Sequence, residues 1–230
     1  MTTVGVVVFP GTNCELDVAD ALRRCGAHAE LIWHTDTDLA GVDAVFLPGG
    51  FAHGDYLRTG AIARFSPVMD AITRFAQLGG PVIGICNGFQ VLCEAGLLPG
   101  ALQKNTGLKF LCQTSEVEVV SVDNVLTGSC RPGQRLRLPI NHFEGNYTID
   151  AAAARGLHDA GQVVLVYVDN PNGSVDDIAG ICNPSGNVVG LMPHPERAVD
   201  ALAGSTDGLV LLEGVLAATL TGRGLVQARS

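Results

Sequence analysis

Pro81-Val82-Ile83-Gly84-Ile85-Cys86-Asn87-Gly88-Phe89-Gln90-Val91-Leu92-Cys93-Glu94-Ala95 runs an apolar stretch straight into a helical one, with a cysteine at the junction. Val82 to Ile85 shows no polar alternation, which is how a strand buried on both faces reads, and Phe89 to Ala95 has helical spacing. Two similar apolar runs lie upstream, Val4 to Phe9 before Pro10-Gly11 and Ala44 to Leu47 before Pro48-Gly49-Gly50. Helical stretches, Glu15 to Cys25 and Phe65 to Leu78, separate them. Strand, helix, strand, helix in this order predicts an α/β fold with a flavodoxin-like, mostly parallel sheet flanked by helices.

Downstream the texture changes. Glu116 to Val120 and Arg135 to Leu138 alternate polar with apolar, which predicts antiparallel strands added to the main sheet. Gln162 to Val168 and Val188 to Met192 return to buried-strand character. A last helix is predicted over Asp207 to Leu220, with Ser205 or Thr206 as its cap. No linker, repeat or low-complexity tract divides the 230 residues, so one domain over 1–230 is the simplest reading.

Composition narrows the partners. Net charge is −9 and the 14 basic residues are scattered, so neither nucleic acid nor an anionic membrane finds the clustered cations it needs. The start lacks the basic region of a signal peptide, and no apolar run approaches the ~20 residues that span a bilayer, so a cytoplasmic chain is expected. Seven cysteines include no CxxC pair and match neither a zinc ribbon nor a disulfide framework. No metal site is expected, and packing is the default role for each thiol.

Cys86 stands apart by its setting. Gly84-Ile85-Cys86-Asn87-Gly88 has the small-x-nucleophile-x-small form of a nucleophile elbow with sulfur in place of oxygen. The tight turn demands small flanks. It pushes Cys86 out at the carboxyl end of the sheet, where open α/β folds bind ligands and where free helix N–H groups favour a thiolate. The pentapeptide alone also fits a core cysteine in a turn. Cys93, without small flanks, reads as packing.

Among six histidines, His194 has the best setting for a base. It follows the buried run Val188 to Met192, prolines on both sides fix its turn, and Glu196 can accept the second ring N–H. Cys86, His194 and Glu196 thus form a candidate triad, the alternative being a histidine that only caps a loop. Gly49-Gly50-Phe51 offers unobstructed backbone N–H groups, so Gly50 and Asn87 are the candidate oxyanion donors. Taken alone, Pro-Gly-Gly is only a turn.

Gly84 to Gln90 together with Pro193-His194-Pro195-Glu196 resembles the two hallmarks of class I (triad) glutamine amidotransferases. Gly49 to Arg58, Gly60 to Phe65 and Asn172 to Gly180 are similar to the glutaminase subunits of phosphoribosylformylglycinamidine synthases, and the likeness runs over almost the whole chain. The resemblance implies a γ-glutamyl thioester on Cys86, a proton shuttle at His194 and an orienting role for Glu196. It also implies that Gln90, His142 and the Asn172-Gly173-Ser174 loop hold glutamine, and that Asp55, Tyr56 and Arg58 face a partner, the alternative for those three being a solvated loop with a surface ion pair. Asn141-His142-Phe143-Glu144 departs from the Ala-His-Gly-Glu often found there.

The implied partners are a synthetase subunit (PurL-like) and a small accessory subunit (PurS-like). ATP and magnesium are expected in the synthetase and no cofactor in this chain, which carries no GxxxxGK[ST] phosphate loop. The rival readings are a stand-alone cysteine hydrolase and a non-catalytic scaffold. His194 with Glu196 and the long Gly49 to Phe65 match argue against the first, and an intact triad against the second.

Overall fold

The computed structural model describes residues 1–220; residues 221–230, the end of the stretch read as one domain, lie outside the described residues. In chain order the elements are β1 (Thr3–Val8), α1 (Glu15–Arg24), β2 (His28–Trp33), β3 (Ala44–Leu47), α2 (Pro67–Gln77), β4 (Val82–Ile85) and α3 (Asn87–Glu94). Then come β5 (Ala101–Gln103), β6 (Leu111–Val119), β7 (Arg135–His142), β8 (Asn146–Thr148), α4 (Ala151–Asp159), β9 (Val163–Tyr167), β10 (Ile178–Cys182), β11 (Val188–Leu191) and α5 (Leu209–Leu220).

Nine strands form one sheet in the order β2-β1-β3-β4-β11-β10-β9-β6-β7, and β5 pairs with β8 apart from it. From β2 to β11 every pairing is parallel, and from β11 to β7 every pairing is antiparallel. All residues of β3 and β4 are buried, as their unbroken apolar runs require, whereas β6 and β7 alternate in the way a half-covered strand does.

Helix α1 carries Glu15 and Asp17 in its first turn and Arg23 and Arg24 in its last, both matched to the helix dipole. It packs on α5 and against β1 and β2. Pro67 occupies the first turn of α2, where its missing N–H costs nothing.

Five elements escape a reading of apolar pattern, the short pair β5 and β8 and three longer ones. β2 is an edge strand with Leu31 and Trp33 half exposed, β10 is a short buried strand, and α4 is an alanine-rich helix capped by Asp150, whose carboxylate accepts the Ala152 and Ala153 N–H groups at 3.0 Å. Helix α5 starts two residues later than its pattern suggests. The Asp207 carboxylate accepts the Arg137 N–H and Ser205 Oγ accepts the Asp207 N–H, so these groups shape the approach to the helix.

Three glycines let α3 lie against β3, β4 and β11. A Cβ on Gly88 would overlap the Leu47 carbonyl, one on Gly190 would overlap the Phe89 ring, and one on Gly84 would stand 2.7 Å from the Gly88 backbone. Gly88→Ala is expected to cost about 3 kcal/mol in denaturant unfolding, since the obstacle is backbone that has no rotamer to give. A loss under about 1 kcal/mol would mean that the helix can retreat from β3 freely.

Candidate active site

Cys86 lies between β4 and α3, as the N-cap of the helix, with φ +52° and ψ −105°, a backbone that a residue with a Cβ adopts only where its surroundings enforce it. The enforcement is visible. Its N–H donates to the Leu191 carbonyl at 2.8 Å across the β4–β11 pair, and its carbonyl accepts the Gln90 N–H at 3.2 Å to start the helix. The expected elbow is therefore present, with the side chain at the helix N-terminus and Sγ 3.7 Å from the Asn141 carbonyl.

His194 arrives from the neighbouring strand. Ile85 pairs with Leu191, so both chains leave the sheet at the same level, and the His194 N–H is tied to the Pro139 carbonyl at 2.8 Å. Its Nδ1 lies 2.6 Å from Glu196 Oε1, with the two residues only 1% and 3% exposed. A carboxylate there requires Nδ1–H in the neutral ring, which leaves Nε2 as a bare acceptor, and Nε2 has no hydrogen-bond partner among the described residues. Burial works to lower the His194 pKa, but the Glu196 carboxylate, helped by the Cys14 and Cys86 thiols, raises it well above the ordinary value.

Gly49 shows how tightly these groups converge. A Cβ there would stand 2.7 Å from His194 Cε1, 3.2 Å from Cys14 Sγ and 3.5 Å from Cys86 Cβ. Next to it, the Gly50 N–H and the Asn87 N–H donate to no acceptor among the described residues, as open oxyanion donors would. Gly50 needs its positive φ of 148°, because a Cβ would come within 2.7 Å of the Asn13 nitrogen.

Cys86 and His194 open into a cleft of about 360 Å³, whose wall also includes Gln90, His142, Phe143 and Glu144. This is the small end of ligand-sized cavities. Gln90 has both polar ends committed: Oε1 accepts from Asn87 Nδ2 at 2.8 Å and Nε2 donates to the Glu144 carbonyl at 2.6 Å. It ties α3 to the wall.

The Asn172-Gly173-Ser174 loop, expected against glutamine, is not part of the cleft wall. Asn172 Nδ2 donates to the Gly145 carbonyl at 2.8 Å and Ser174 Oγ accepts the Tyr147 N–H at 3.0 Å. The Gly173 N–H goes back to Asn170 Oδ1. These bonds make the loop a buttress behind the segment that carries His142.

Asp55, Tyr56 and Arg58 sit on a rim loop where His53, Asp55 and Leu57 all have positive φ. Asp55 turns inward, 3.3 Å from Asn87 Nδ2, and burial with the nearby Glu144 carboxylate pushes its carboxyl up to about 6. Arg58 makes a two-point bond to Glu94 at 2.6 and 2.7 Å. Tyr56, at 74% exposure, and Arg58 both stand on open surface, beside the exposed Leu57.

Cys14 was expected to pack and is instead part of the site. Its Sγ receives the Arg197 guanidinium at 3.1 Å and lies within 4.8 Å of ligand atoms of His194 and Glu196, a spacing that a metal ion could bridge. One signal was available: Cys14 follows Gly11-Thr12-Asn13 at the carboxyl end of β1, the sheet edge that also bears Cys86. A larger cavity of about 500 Å³, bounded by Asp123, Asn124, Ser185 and Gly186 among others, is lined by no thiol or imidazole among the described residues.

A family model described as a CobB/CobQ-like glutamine amidotransferase domain matches residues 1–208. The PurQ subunit of phosphoribosylformylglycinamidine synthase from Rubrobacter xylanophilus is 58% identical over 214 residues, covering 93% of this chain and 97% of that one. That from Mycobacterium tuberculosis is 54% identical over 220 residues, covering 95% and 98%. A chain of the PurLQS structure from Thermotoga maritima superposes with a TM-score of 0.87 at 41% identity, covering 94% of this chain and 98% of that chain.

Proposed function

Because this chain belongs to the PurQ subunits of phosphoribosylformylglycinamidine synthase, within the CobB/CobQ-like glutamine amidotransferase family, we propose that Cys86, His194 and Glu196 carry its glutaminase chemistry. The chain is the glutaminase subunit of an ATP-dependent ligase of purine biosynthesis: it hydrolyses glutamine to glutamate and ammonia for a PurL-like synthetase. The synthetase uses the ammonia to turn formylglycinamide ribonucleotide into formylglycinamidine ribonucleotide. The observation that supports the residue roles is the strained Cys86 elbow with the buried His194–Glu196 pair leaving the adjacent strand.

The steps follow from the groups present. His194 Nε2 takes the Cys86 proton, and sulfur attacks the γ-carboxamide carbon. The developing oxyanion is met by the Gly50 and Asn87 N–H groups. His194 then gives its proton to the leaving nitrogen, ammonia departs, and water hydrolyses the thioester by the same route in reverse. Glu196 keeps the ring in the tautomer that this exchange needs.

Our reading places ATP and magnesium in the synthetase, with no cofactor in this chain, and treats residues 1–230 as one amidotransferase domain. A PurS-like accessory subunit completes the complex, the rim around Asp55, Tyr56 and Arg58 faces the partner, and the chain works in the cytoplasm. No helix among the described residues is long and apolar enough to cross a membrane.

The test is reconstitution with a PurL-like synthetase and a PurS-like subunit, followed by a product assay with glutamine or ammonia as nitrogen source. We expect product from both, and labelling of Cys86 by a glutamine-derived chloroketone. Product from ammonia alone, or labelling of Cys14 or Cys93 in place of Cys86, would overturn the reading.

A further inference from the structure

His142 lines the cleft shared by Cys86 and His194, is 3% exposed, and has no partner for its Nε2 among the described residues. Its other nitrogen faces Asn105, a residue 1% exposed in the turn after β5. The orientation of the Asn105 amide is settled by its own bonds. Nδ2 donates to the Lys109 carbonyl at 2.9 Å and the His142 carbonyl at 3.0 Å, while Oδ1 accepts the Gly145 N–H at 3.1 Å. Flipping the amide would set donor against donor and acceptor against acceptor.

Oδ1 therefore faces His142 Nδ1 at 3.2 Å, and an oxygen that only accepts requires a hydrogen on that nitrogen. Gly145 is a glycine for the same reason, since a Cβ there would run into the imidazole. The result is a buried ring held to one tautomer, with a bare lone pair that no group among the described residues fills. Burial, and next the neighbouring His194, push its pKa down to about 4, so the ring stays neutral. An unfilled buried acceptor implies a donor that arrives with the ligand.

Glutamine brings two kinds of N–H. Its α-ammonium suits the Asp55 and Glu144 carboxylates, which both line this cleft. The carbonyl of Asn141, the residue before His142, lies 3.7 Å from Cys86 Sγ, and His142 shares the cleft wall with Cys86 and His194, so it belongs to the reacting end. We propose that Asn105 fixes His142 as the Nδ1–H tautomer so that its Nε2 accepts an N–H of the γ-amide nitrogen and keeps that contact as the nitrogen leaves as ammonia. When the tetrahedral intermediate collapses, the C–N bond breaks, its electron pair goes to nitrogen, and His194 supplies the third hydrogen of NH3. His142 moves no proton. Asn105 is a positioning residue, and the proposal rests on the glutaminase reading above.

The experiment compares two substrates in the reconstituted complex: glutamine, and glutamate γ-methyl ester, whose ester oxygen has no hydrogen to offer. His142→Leu is expected to lower the ratio of glutamine to ester turnover about ten-fold through kcat, the size of one lost hydrogen bond. His142→Gln, which can set an amide oxygen near the Nε2 position, should recover most of the ratio. Long-range proton–nitrogen NMR on protein labelled at histidine should find His142 as Nδ1–H in the wild type, and Asn105→Ala should shift it toward Nε2–H and lower the same ratio.

Equal losses on both substrates would make His142 merely structural and overturn the proposal. So would a rise in the KM for glutamine at unchanged kcat, which would mark an α-ammonium contact, or an Nε2–H signal in the wild type. A wild-type complex inert toward both substrates would overturn the glutaminase reading first and this proposal with it. Should His142→Leu not fold, the glutamine variant and the NMR measurement still decide.

Discussion

Cys86→Ser is expected to abolish glutamine-dependent synthesis in the reconstituted complex, by about 10⁴-fold or more, and to leave ammonia-dependent synthesis at the wild-type rate. The substitution is nearly isosteric, so the φ of +52° and the bonds to Leu191 and Gln90 persist. What changes is the nucleophile, because a hydroxyl at this helix N-terminus is far less ready than a thiol to give an anion. Ammonia enters after the step that Cys86 serves, so its use isolates the synthetase. Glutamine-dependent activity within ten-fold of wild type would remove Cys86 from the nucleophile role. The same protein also separates the two site thiols: Cys14 sits against Arg197 and His194, and residual activity surviving in Cys86→Ser but lost in a Cys14, Cys86 double variant would transfer the role to Cys14.

What the sequence disclosed and what it hid divide along one physical line. The elbow is local: strand, turn and helix are consecutive in residues 82 to 94, so small flanks and an apolar run suffice to locate Cys86. The His194–Glu196 pair is local too, a separation of two residues inside a proline-braced turn. Asn105 and Cys14 act across 37 and 183 residues respectively, through bonds to His142 and Arg197 that exist only once the sheet has assembled. No periodicity announces such a pairing. Resemblance carried the Asn172-Gly173-Ser174 loop to the right neighbourhood, yet its donors and acceptors are spent on Gly145, Tyr147 and Asn170, one layer behind the cleft. The antiparallel half shows the same limit. β10 is apolar at every position, as β3 and β4 are, yet it runs antiparallel to both its neighbours, β9 and β11, a placement that exists only in the assembled sheet.

Glu196→Gln should reduce glutamine turnover by roughly 10⁴-fold, the scale seen when the orienting carboxylate of a triad is made neutral, because an amide can donate to Nδ1 and so favour the wrong tautomer. The variant also has a signature in stability. In the wild type the His194 pKa is raised in the fold, so its contribution is fully present below the unfolded value of about 6.5 and fades as pH climbs through the higher folded value. Without the Glu196 charge, the burial that opposes a charged ring gains the upper hand. The ring is then neutral when folded and takes a proton on unfolding, so the variant loses stability as pH falls below about 6.5. The stability gap between the two proteins is therefore widest in mild acid and narrows toward alkaline pH, which denaturant titrations at a series of pH values will measure. A gap that does not vary with pH, or a loss of turnover under ten-fold, would mean that Glu196 is not the charge that holds His194. The gap matters for catalysis because the ring must pick up and release a proton within one turnover while 1% exposed, and Glu196 is the carboxylate bonded to it in that dry setting.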